Sequence, residues 1–386
     1  MGRALISALG MALLTASHAE QLRPDSPPAA GVSQAQLERA SHLIQSEVES
    51  GKLGAAAILV ARHGRVVLHR GFGRLSTAPD APAVQPDSVF LLASITKPVT
   101  ACSLMLLVER GLVSLGDPVN RYLPEFEGGE RGKVQVRDLL RHTSGLPAML
   151  PDNIELRRAH APLSEFVRHV YTTPLLFAPQ SEFRYQSMGI LLAAEIVEKL
   201  SGMRLRDFEK QEIFGPLGMK DSSLGLGGRR ISDLVSCALA PGTDPADDER
   251  FGPNSLYWRD VGCPWGGMHS TTSDLAILLQ TFLDGGQYGG KRVFSPATVK
   301  AMTSDQNAEI KAPWGLGWAL GRSHAWNAFG DLVSENAFGH AGATGTMAWA
   351  DPATQLLCVI LTNRSYSADD GRFLRLVSNT VAASVQ

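Results

Sequence analysis

A serine and a lysine in the stretch VFLLASITKPVT, residues 89–100, have a spacing suited to chemistry. Ser94 and Lys97 lie three positions apart at the start of a helical pattern, so both side chains can face one cleft. A serine hydroxyl is a poor nucleophile until a base takes its proton. A lysine ammonium can lower the pKa of such a base, or the amine can itself be the base if its own pKa is lowered. The positive end of the helix would also favour an oxyanion.

Pro98 follows the lysine directly and restricts the geometry of this segment. Proline has no backbone N–H, and its ring clashes with the carbonyl four residues earlier, which belongs to Ser94. We therefore expect Ser94 at the very edge of the helix, outside the regular hydrogen-bond ladder. The spacing alone also suits a serine cap followed by a surface lysine, so the rest of the chain has to decide between these interpretations.

A series of further motifs, taken in order, covers most of the chain. They are SITK (94–97), GDPVNRYLPEF (116–126), LLRHTSGLP (139–147), FRYQSMG (183–189), FGPLGM (214–219), GGMHSTTSDL (266–275), WGLGW (314–318) and GHAGATG (339–345). In order and rough spacing this series resembles the serine β-lactamase and penicillin-binding-protein superfamily, especially class C β-lactamases and family VIII carboxylesterases. The resemblance implies a serine hydrolase of β-lactamase/transpeptidase-like fold.

The resemblance also implies roles for individual residues. Ser94 would be the acylated nucleophile, and Lys97 would keep the proton network polarised. Tyr185 would take the serine proton and pass it to the leaving group. This role requires neighbouring cations that lower the pKa of its phenol. The alternative is a core tyrosine whose hydroxyl is hydrogen-bonded within the protein. The backbone N–H groups of Ser94 and Ala343 would hold the oxyanion, and Gly342 would let the substrate approach the strand edge.

Two residues depart from the family pattern and bear on the substrate. His340 replaces the lysine of the K-T-G triplet, and an unperturbed histidine is only about one quarter protonated at pH 7. Ser187 replaces the asparagine of Y-x-N and offers fewer donors to a substrate carbonyl. Both changes weaken recognition of an amide flanked by a carboxylate, so we expect a carboxylesterase on short-chain esters. A nearby arginine could restore the charge. The alternatives are a β-lactamase, a D-amino-acid-specific peptidase, or a catalytically silent relative that binds peptidoglycan-like ligands or partners.

The N-terminus has the pattern of an export signal. A basic start at residues 1–3 precedes an apolar stretch at 4–15 and small residues at 16–19, which predicts a signal peptide cleaved after Ala19. The apolar part is too short to cross a bilayer comfortably, and no later segment looks transmembrane. We therefore expect an exported protein, periplasmic or secreted, with no stable membrane span; an uncleaved anchor is the alternative.

Composition restricts the partners and cofactors of this 386-residue chain. A net charge of −2 without a long basic run argues against nucleic acid and leaves a small-molecule ester or amide as the expected partner. The ten histidines show no H-E-x-x-H or paired metal spacing, so neither a metal nor an organic cofactor is expected. A disulfide between Cys237 and Cys263 is permitted but not required by the sequence.

The pattern of elements predicts an α/β (α+β) fold. Residues 20–32 are expected to be a flexible leader, and 33–386 a single hydrolase domain. Its antiparallel sheet, flanked by helices, would be built from both termini, at about 33–93 and 310–386, around an inserted mainly helical region at about 94–309. Predicted strands are 55–61, 66–73, 314–320, 346–350 and 356–361, and predicted helices are 33–50, 100–110, 134–141, 190–200, 272–283 and 371–383.

Overall fold

A computed structural model describes residues 21–323 and 328–386 of the chain, so the predicted signal peptide lies outside it. In chain order the strands are Arg23–Pro24 (β1), Ala55–Arg62 (β2), Arg65–Gly73 (β3), Phe90–Leu91 (β4), Ser223–Leu224 (β5), Met268–Ser270 (β6), Gln287–Tyr288 (β7), Lys291–Arg292 (β8), Ala319–Leu320 (β9), Phe338–Gly342 (β10), Thr346–Asp351 (β11) and Leu356–Thr362 (β12). The α-helices are Gln34–Glu49 (α1), Thr96–Glu109 (α2), Val136–Leu140 (α3), Asn153–Arg158 (α4), Leu163–Thr172 (α5), Met188–Ser201 (α6), Leu205–Glu209 (α7), Gly215–Leu217 (α8), Pro245–Phe251 (α9), Leu256–Val261 (α10), Thr272–Leu283 (α11), Pro296–Thr303 (α12) and Arg372–Ala382 (α13).

The main sheet joins the two ends of the chain, as the sequence predicts. In the part of the chain that the structure describes it has seven strands, in the order β1-β3-β2-β12-β11-β10-β9. Strand β12 pairs with β2, which links the C-terminal strands to the N-terminal hairpin. All pairs are antiparallel except that of β1 with β3, so the sheet is mixed only at this edge. The predicted fold is therefore confirmed.

Helices cover both faces of this sheet, so the strands between them are buried on both sides. Alternate residues of β2 belong to two different hydrophobic clusters: Ala56, Ile58 and Val60 face one, and Ala57 and Leu59 face the other. Helices α1 and α13 pack on the first side, and α11 packs on the second. Burial on both faces accounts for the near-continuous apolar sequence of the strand.

The predicted strand 314–320 forms only at its end, where Ala319 and Leu320 pair with β10. Gly317 has φ +84°, in the left-handed region, and its N–H donates to the carbonyl of Leu140 at 3.0 Å. This turn breaks the extended chain because β-strand pairing requires negative φ. Trp314 consequently lies among aromatic rings near the predicted catalytic residues, with no part in the sheet.

The segment expected to be a flexible leader makes contacts with the rest of the molecule from residue 22 onward. Strand β1 pairs with β3, and the N–H of Leu22 donates to the hydroxyl of Tyr288 at 3.0 Å. Val32 forms a bridge with Val385. Over the described ranges, no helix combines the length and apolar character needed to cross a bilayer.

Candidate active site

Ser94 lies in a short 3-10 turn, Ala93–Ile95, directly before α2. Ala93 has φ +49°, a left-handed conformation that is unfavourable for a residue with a Cβ and that persists only where the surrounding structure holds it. Thr96 secures this conformation, since its Oγ1 donates to the carbonyl of Ala93 at 2.7 Å and accepts from the N–H of Met268 at 3.0 Å. The predicted nucleophile therefore lies at the edge of the helix, as the position of Pro98 in the sequence predicts.

Lys97 lies within hydrogen-bond distance of the serine. Its Nζ is 2.8 Å from Ser94 Oγ and donates to the carbonyl of Trp265 at 3.1 Å. The side chain is only 1% exposed, so it is not the surface lysine of the alternative interpretation. Burial lowers the pKa of Lys97 to about 7, because desolvation disfavours the ammonium. A large fraction of this amine is therefore neutral near pH 7 and able to accept a proton.

Tyr185 joins the same group of side chains. Its hydroxyl is buried, and its ring lies 4.7 Å from Lys97 Nζ. Burial raises the pKa of Tyr185 above that of a free phenol, and the nearby Ser94 hydroxyl only partly offsets this. The expectation that neighbouring cations lower this pKa is therefore wrong. The phenol keeps its proton at neutral pH, which suits a proton donor better than a base.

A cavity of about 360 Å³ opens over Ser94. It is lined by Ser94, Phe183, Tyr185, Trp314, Ala341, Gly342, Ala343, Ser365, Tyr366 and Ser367. The predicted oxyanion residue Ala343 thus shares a cavity with the predicted nucleophile. Tyr185 and Gly342, which the sequence also predicts as site residues, belong to the same lining. The sequence had not indicated Trp314, because WGLGW had suggested a strand, or the loop that carries Ser365, Tyr366 and Ser367, which contains no motif.

The turn after β10 and the start of β11 are tied to the segment that precedes the serine. The hydroxyl of Thr344 donates to the carbonyl of Leu91 at 2.7 Å, and that of Thr346 donates to the carbonyl of Leu92 at 2.8 Å. A Cβ added to Gly342 would lie 2.1 Å from the Leu92 carbonyl oxygen. Gly342 therefore lets β10 approach the backbone that carries Ser94. This role differs from the one expected from the sequence, which was to let the substrate approach the strand edge.

His340 and Ser187 are buried and do not belong to the residues that line the cavity. The His340 ring lies behind the wall, 5.9 Å from the ring of Tyr185 and 6.0 Å from that of Trp314. Its Nδ1 donates to the carbonyl of Ala341 at 2.7 Å. Burial and the Lys97 charge lower the pKa of His340 to about 3, so the imidazole is neutral at pH 7. Ser187 precedes α6, and its N–H donates to the carbonyl of Ala148 at 3.1 Å.

Charged side chains are absent from the described lining of this cavity. Arg364, next to the serine-rich wall, is directed to two carboxylates, Glu47 at 2.9 Å and Asp369 at 3.3 Å. Cys237 and Cys263 are both free thiols, and the permitted disulfide between them is not formed. The site therefore offers the Ser94 hydroxyl and the Tyr185 phenol in the wall of an uncharged, partly aromatic cavity, with the Lys97 amine 2.8 Å from the serine hydroxyl.

The family model described as Beta-lactamase matches residues 40–381 of this chain. The chain belongs to the beta-lactamase family. A curated relative from Salmonella gallinarum, named "Putative D-alanyl-D-alanine carboxypeptidase", is 28% identical over 373 residues, which cover 89% of this chain and 86% of that protein. The family membership supports a serine hydrolase of the β-lactamase and penicillin-binding-protein superfamily.

Solved structures share this fold. A penicillin-binding protein homologue from Caulobacter crescentus aligns with a TM-score of 0.74 at 23% identity, covering 92% of this chain and 98% of its own. A family VIII carboxylesterase aligns with a TM-score of 0.73 at 20% identity, covering 92% and 99%. EstCE1, described as a hydrolase with promiscuous acyltransferase activity, aligns with a TM-score of 0.73 at 22% identity, covering 90% and 99%. At these identities the likeness is one of fold.

Proposed function

We propose that this protein is a carboxylesterase that hydrolyses short-chain, uncharged esters through an acyl-enzyme on Ser94. The observation that carries the proposal is the cavity itself. It presents the Ser94 hydroxyl, 2.8 Å from the Lys97 amine, to a space lined by aromatic rings, glycine, alanine and serine, with no charged side chain in its described lining. Such a space suits a neutral substrate that needs an activated nucleophile and no countercharge.

Acylation follows from the positions of the three polar side chains. Neutral Lys97 takes the Ser94 proton while Oγ attacks the ester carbonyl carbon and forms a tetrahedral oxyanion. The N–H groups of Ser94 and Ala343 would donate to that oxygen; losing one such donor typically costs about 10²–10³-fold in rate. When the ester C–O bond breaks, Tyr185 gives its phenolic proton to the departing alkoxide. The Lys97 ammonium then returns a proton to Tyr185, so the serine proton leaves on the alcohol.

Deacylation uses the same groups in the same roles. Water attacks the acyl carbon, neutral Lys97 accepts a proton from the water, and the serine oxygen leaves with a proton supplied through Tyr185. The lysine ammonium restores the tyrosine, and the carboxylic acid departs. Lys97 is the base in this scheme because burial lowers its pKa to about 7, whereas burial raises that of Tyr185. This gives Lys97 the role of base that the resemblance had implied for Tyr185, and Tyr185 keeps the role of proton donor to the leaving group.

The electrostatics of the cavity favour an ester over a β-lactam or a peptide. Both of those substrates carry a carboxylate near the scissile amide and are best held by a cation. His340, in the position of the family lysine, is buried and neutral, and Arg364 is already paired with two carboxylates. The name of the Salmonella relative points to a carboxypeptidase, which is therefore the rival activity to test.

The decisive experiment compares turnover of p-nitrophenyl butyrate with that of a chromogenic cephalosporin and a peptide ending in D-alanyl-D-alanine. Each is measured with the wild type and with Ser94→Ala. We expect ester turnover that is lost in Ser94→Ala and little reaction with the two carboxylate substrates. Fast cephalosporin or peptide turnover with weak ester turnover would reject the esterase, and ester turnover that survives Ser94→Ala would reject the nucleophile.

We propose that residues 1–19 direct the chain out of the cytoplasm and are removed after Ala19. N-terminal sequencing of the mature protein from a periplasmic or culture fraction should begin at Glu20. A protein retained in the cytoplasm with an intact N-terminus would contradict the proposal.

A further inference from the structure

A buried hydrogen-bond cluster fixes the residue that follows Tyr185. The backbone N–H of Gln186 donates to His142 Nδ1 at 3.2 Å, and its side-chain Nε2 donates to the carbonyl of Asp138 at 3.3 Å. Its Oε1 accepts from the hydroxyl of Ser144 at 2.7 Å. Three bonds, all buried, therefore tie Gln186 to the segment 138–144. The position of Tyr185 along the chain is set by this attachment.

The bond to His142 determines the protonation of that histidine. A ring nitrogen that accepts an N–H carries no proton of its own, so His142 is neutral, with its proton on Nε2. The ring is fully buried, and burial together with the Lys97 charge holds the pKa of His142 well below its usual value. The residue also has φ +63°, in the left-handed region, so the backbone turns sharply to present the ring at this place.

The other side of the His142 ring is in contact with the candidate active site. Its centroid lies 4.7 Å from that of the Tyr185 ring and 5.0 Å from that of Trp314. One imidazole thus holds the Tyr185–Gln186 segment twice, through the backbone of Gln186 and through the ring of Tyr185. Between them these contacts limit how far the phenol can move from Ser94.

We propose that His142 is a positioning residue that keeps the Tyr185 phenol aligned for proton transfer to the leaving group. The inference rests on the proposed function and adds a specific dependence to it. A catalytic group displaced by about 1 Å can lose about 10²-fold in rate. In the acylation step, that loss should fall on substrates whose leaving group must be protonated and should largely spare those whose leaving group departs as an anion.

Two substitutions separate the hydrogen bond from the ring. His142→Asn keeps an acceptor close to the position of Nδ1 and tolerates the left-handed backbone, whereas His142→Phe keeps a ring and removes the acceptor. Each is assayed with ethyl butyrate, a poor leaving group, and p-nitrophenyl butyrate, a good one. We expect His142→Phe to lose about 10²-fold on the ethyl ester in kcat/KM, which reports the steps up to acylation, and less than about 5-fold on the nitrophenyl ester. His142→Asn should recover most of the loss.

A double-mutant cycle with Tyr185→Phe completes the test. If His142 acts through the phenol, His142→Phe adds no further loss on the ethyl ester once Tyr185 lacks its hydroxyl. Equal losses on both esters, or fully additive losses in the cycle, would overturn the proposal. If His142→Phe does not fold, Ser144→Ala, which releases the Gln186 side chain, should show the same selectivity between the esters in weaker form. Failure of the proposed function would instead appear in the wild type, as absent ester turnover.

Discussion

Replacing Gly342 by alanine tests whether contact between β10 and the serine segment builds the site. The added Cβ would lie 2.1 Å from the carbonyl oxygen of Leu92 and 2.3 Å from Oγ1 of Thr346. An ordinary C···O contact is about 3.3 Å, so the strand and the serine segment must separate by roughly 1 Å. Overpacking of this kind costs about 1–3 kcal/mol of stability.

The same displacement sets the expected loss of activity. The N–H of Ala343 lies one residue beyond the glycine, and that of Ser94 lies two residues beyond Leu92. Moving the two apart by roughly 1 Å takes one donor out of reach of the oxyanion, so we expect kcat to fall by about 10²-fold. Binding of the neutral ester relies on the aromatic walls, so KM should change by less than about 3-fold.

The assay measures kcat and KM with p-nitrophenyl butyrate, normalised to the fraction of active sites, beside a thermal melt. Gly116→Ala is the matched control, because a Cβ there would meet only the Nη2 atom of Arg137, at an ordinary 3.6 Å. This control should keep both the activity and the melting temperature of the wild type. A folded Gly342→Ala protein with wild-type kcat would refute the view that this contact sets the oxyanion geometry.

Three further predictions concern the charge in the site. First, kcat/KM should rise with pH through about 7, since only the neutral Lys97 amine accepts the serine proton; a profile that is flat between pH 6 and 9 would contradict this. Second, burial lowers the pKa of Lys97 from 10.5 to about 7 in the folded protein, so folding releases a proton between these two pH values. The buried lysine therefore destabilises the fold by its full amount below pH 7, and this destabilisation decreases as the pH rises to 10.5. In urea titrations the unfolding free energy of the wild type, relative to that of Lys97→Met, should therefore increase between these pH values. Third, Ser367→Arg would place a cation at the cavity wall and should raise kcat/KM for the cephalosporin at least about 5-fold relative to the neutral ester. An unchanged ratio would show that the missing cation does not govern selectivity.

Local patterns in the sequence were sufficient to predict where the serine and the lysine lie and which strands form the main sheet. The three-residue spacing of Ser94 and Lys97, with proline next, was enough to place both on one helix edge. Apolar runs near the two termini predicted strands that do pair, β2 with β12, because such runs need burial on both faces. The strand predicted at 314–320 forms only at its end, because the glycines in this stretch allow either an extended or a turned backbone.

Properties that arise from packing between distant segments were beyond prediction. Whether the His340 side chain faces the cavity depends on the rings of Tyr185 and Trp314, which come from other parts of the chain. The raised pKa of Tyr185 likewise reflects burial that no local pattern encodes. His142 lies within the motif LLRHTSGLP, and its contact with the phenol is visible only in three dimensions.

The central claim is that Ser94 carries the acyl group, and mass spectrometry of the enzyme stopped during turnover tests it most directly. With p-nitrophenyl butyrate, acid quenching should trap protein heavier by one butyryl group, and peptide mapping should place that group on the peptide containing Ser94. The adduct should be absent from Ser94→Ala. A butyryl group on any other residue, or an adduct that persists in Ser94→Ala, would contradict the account.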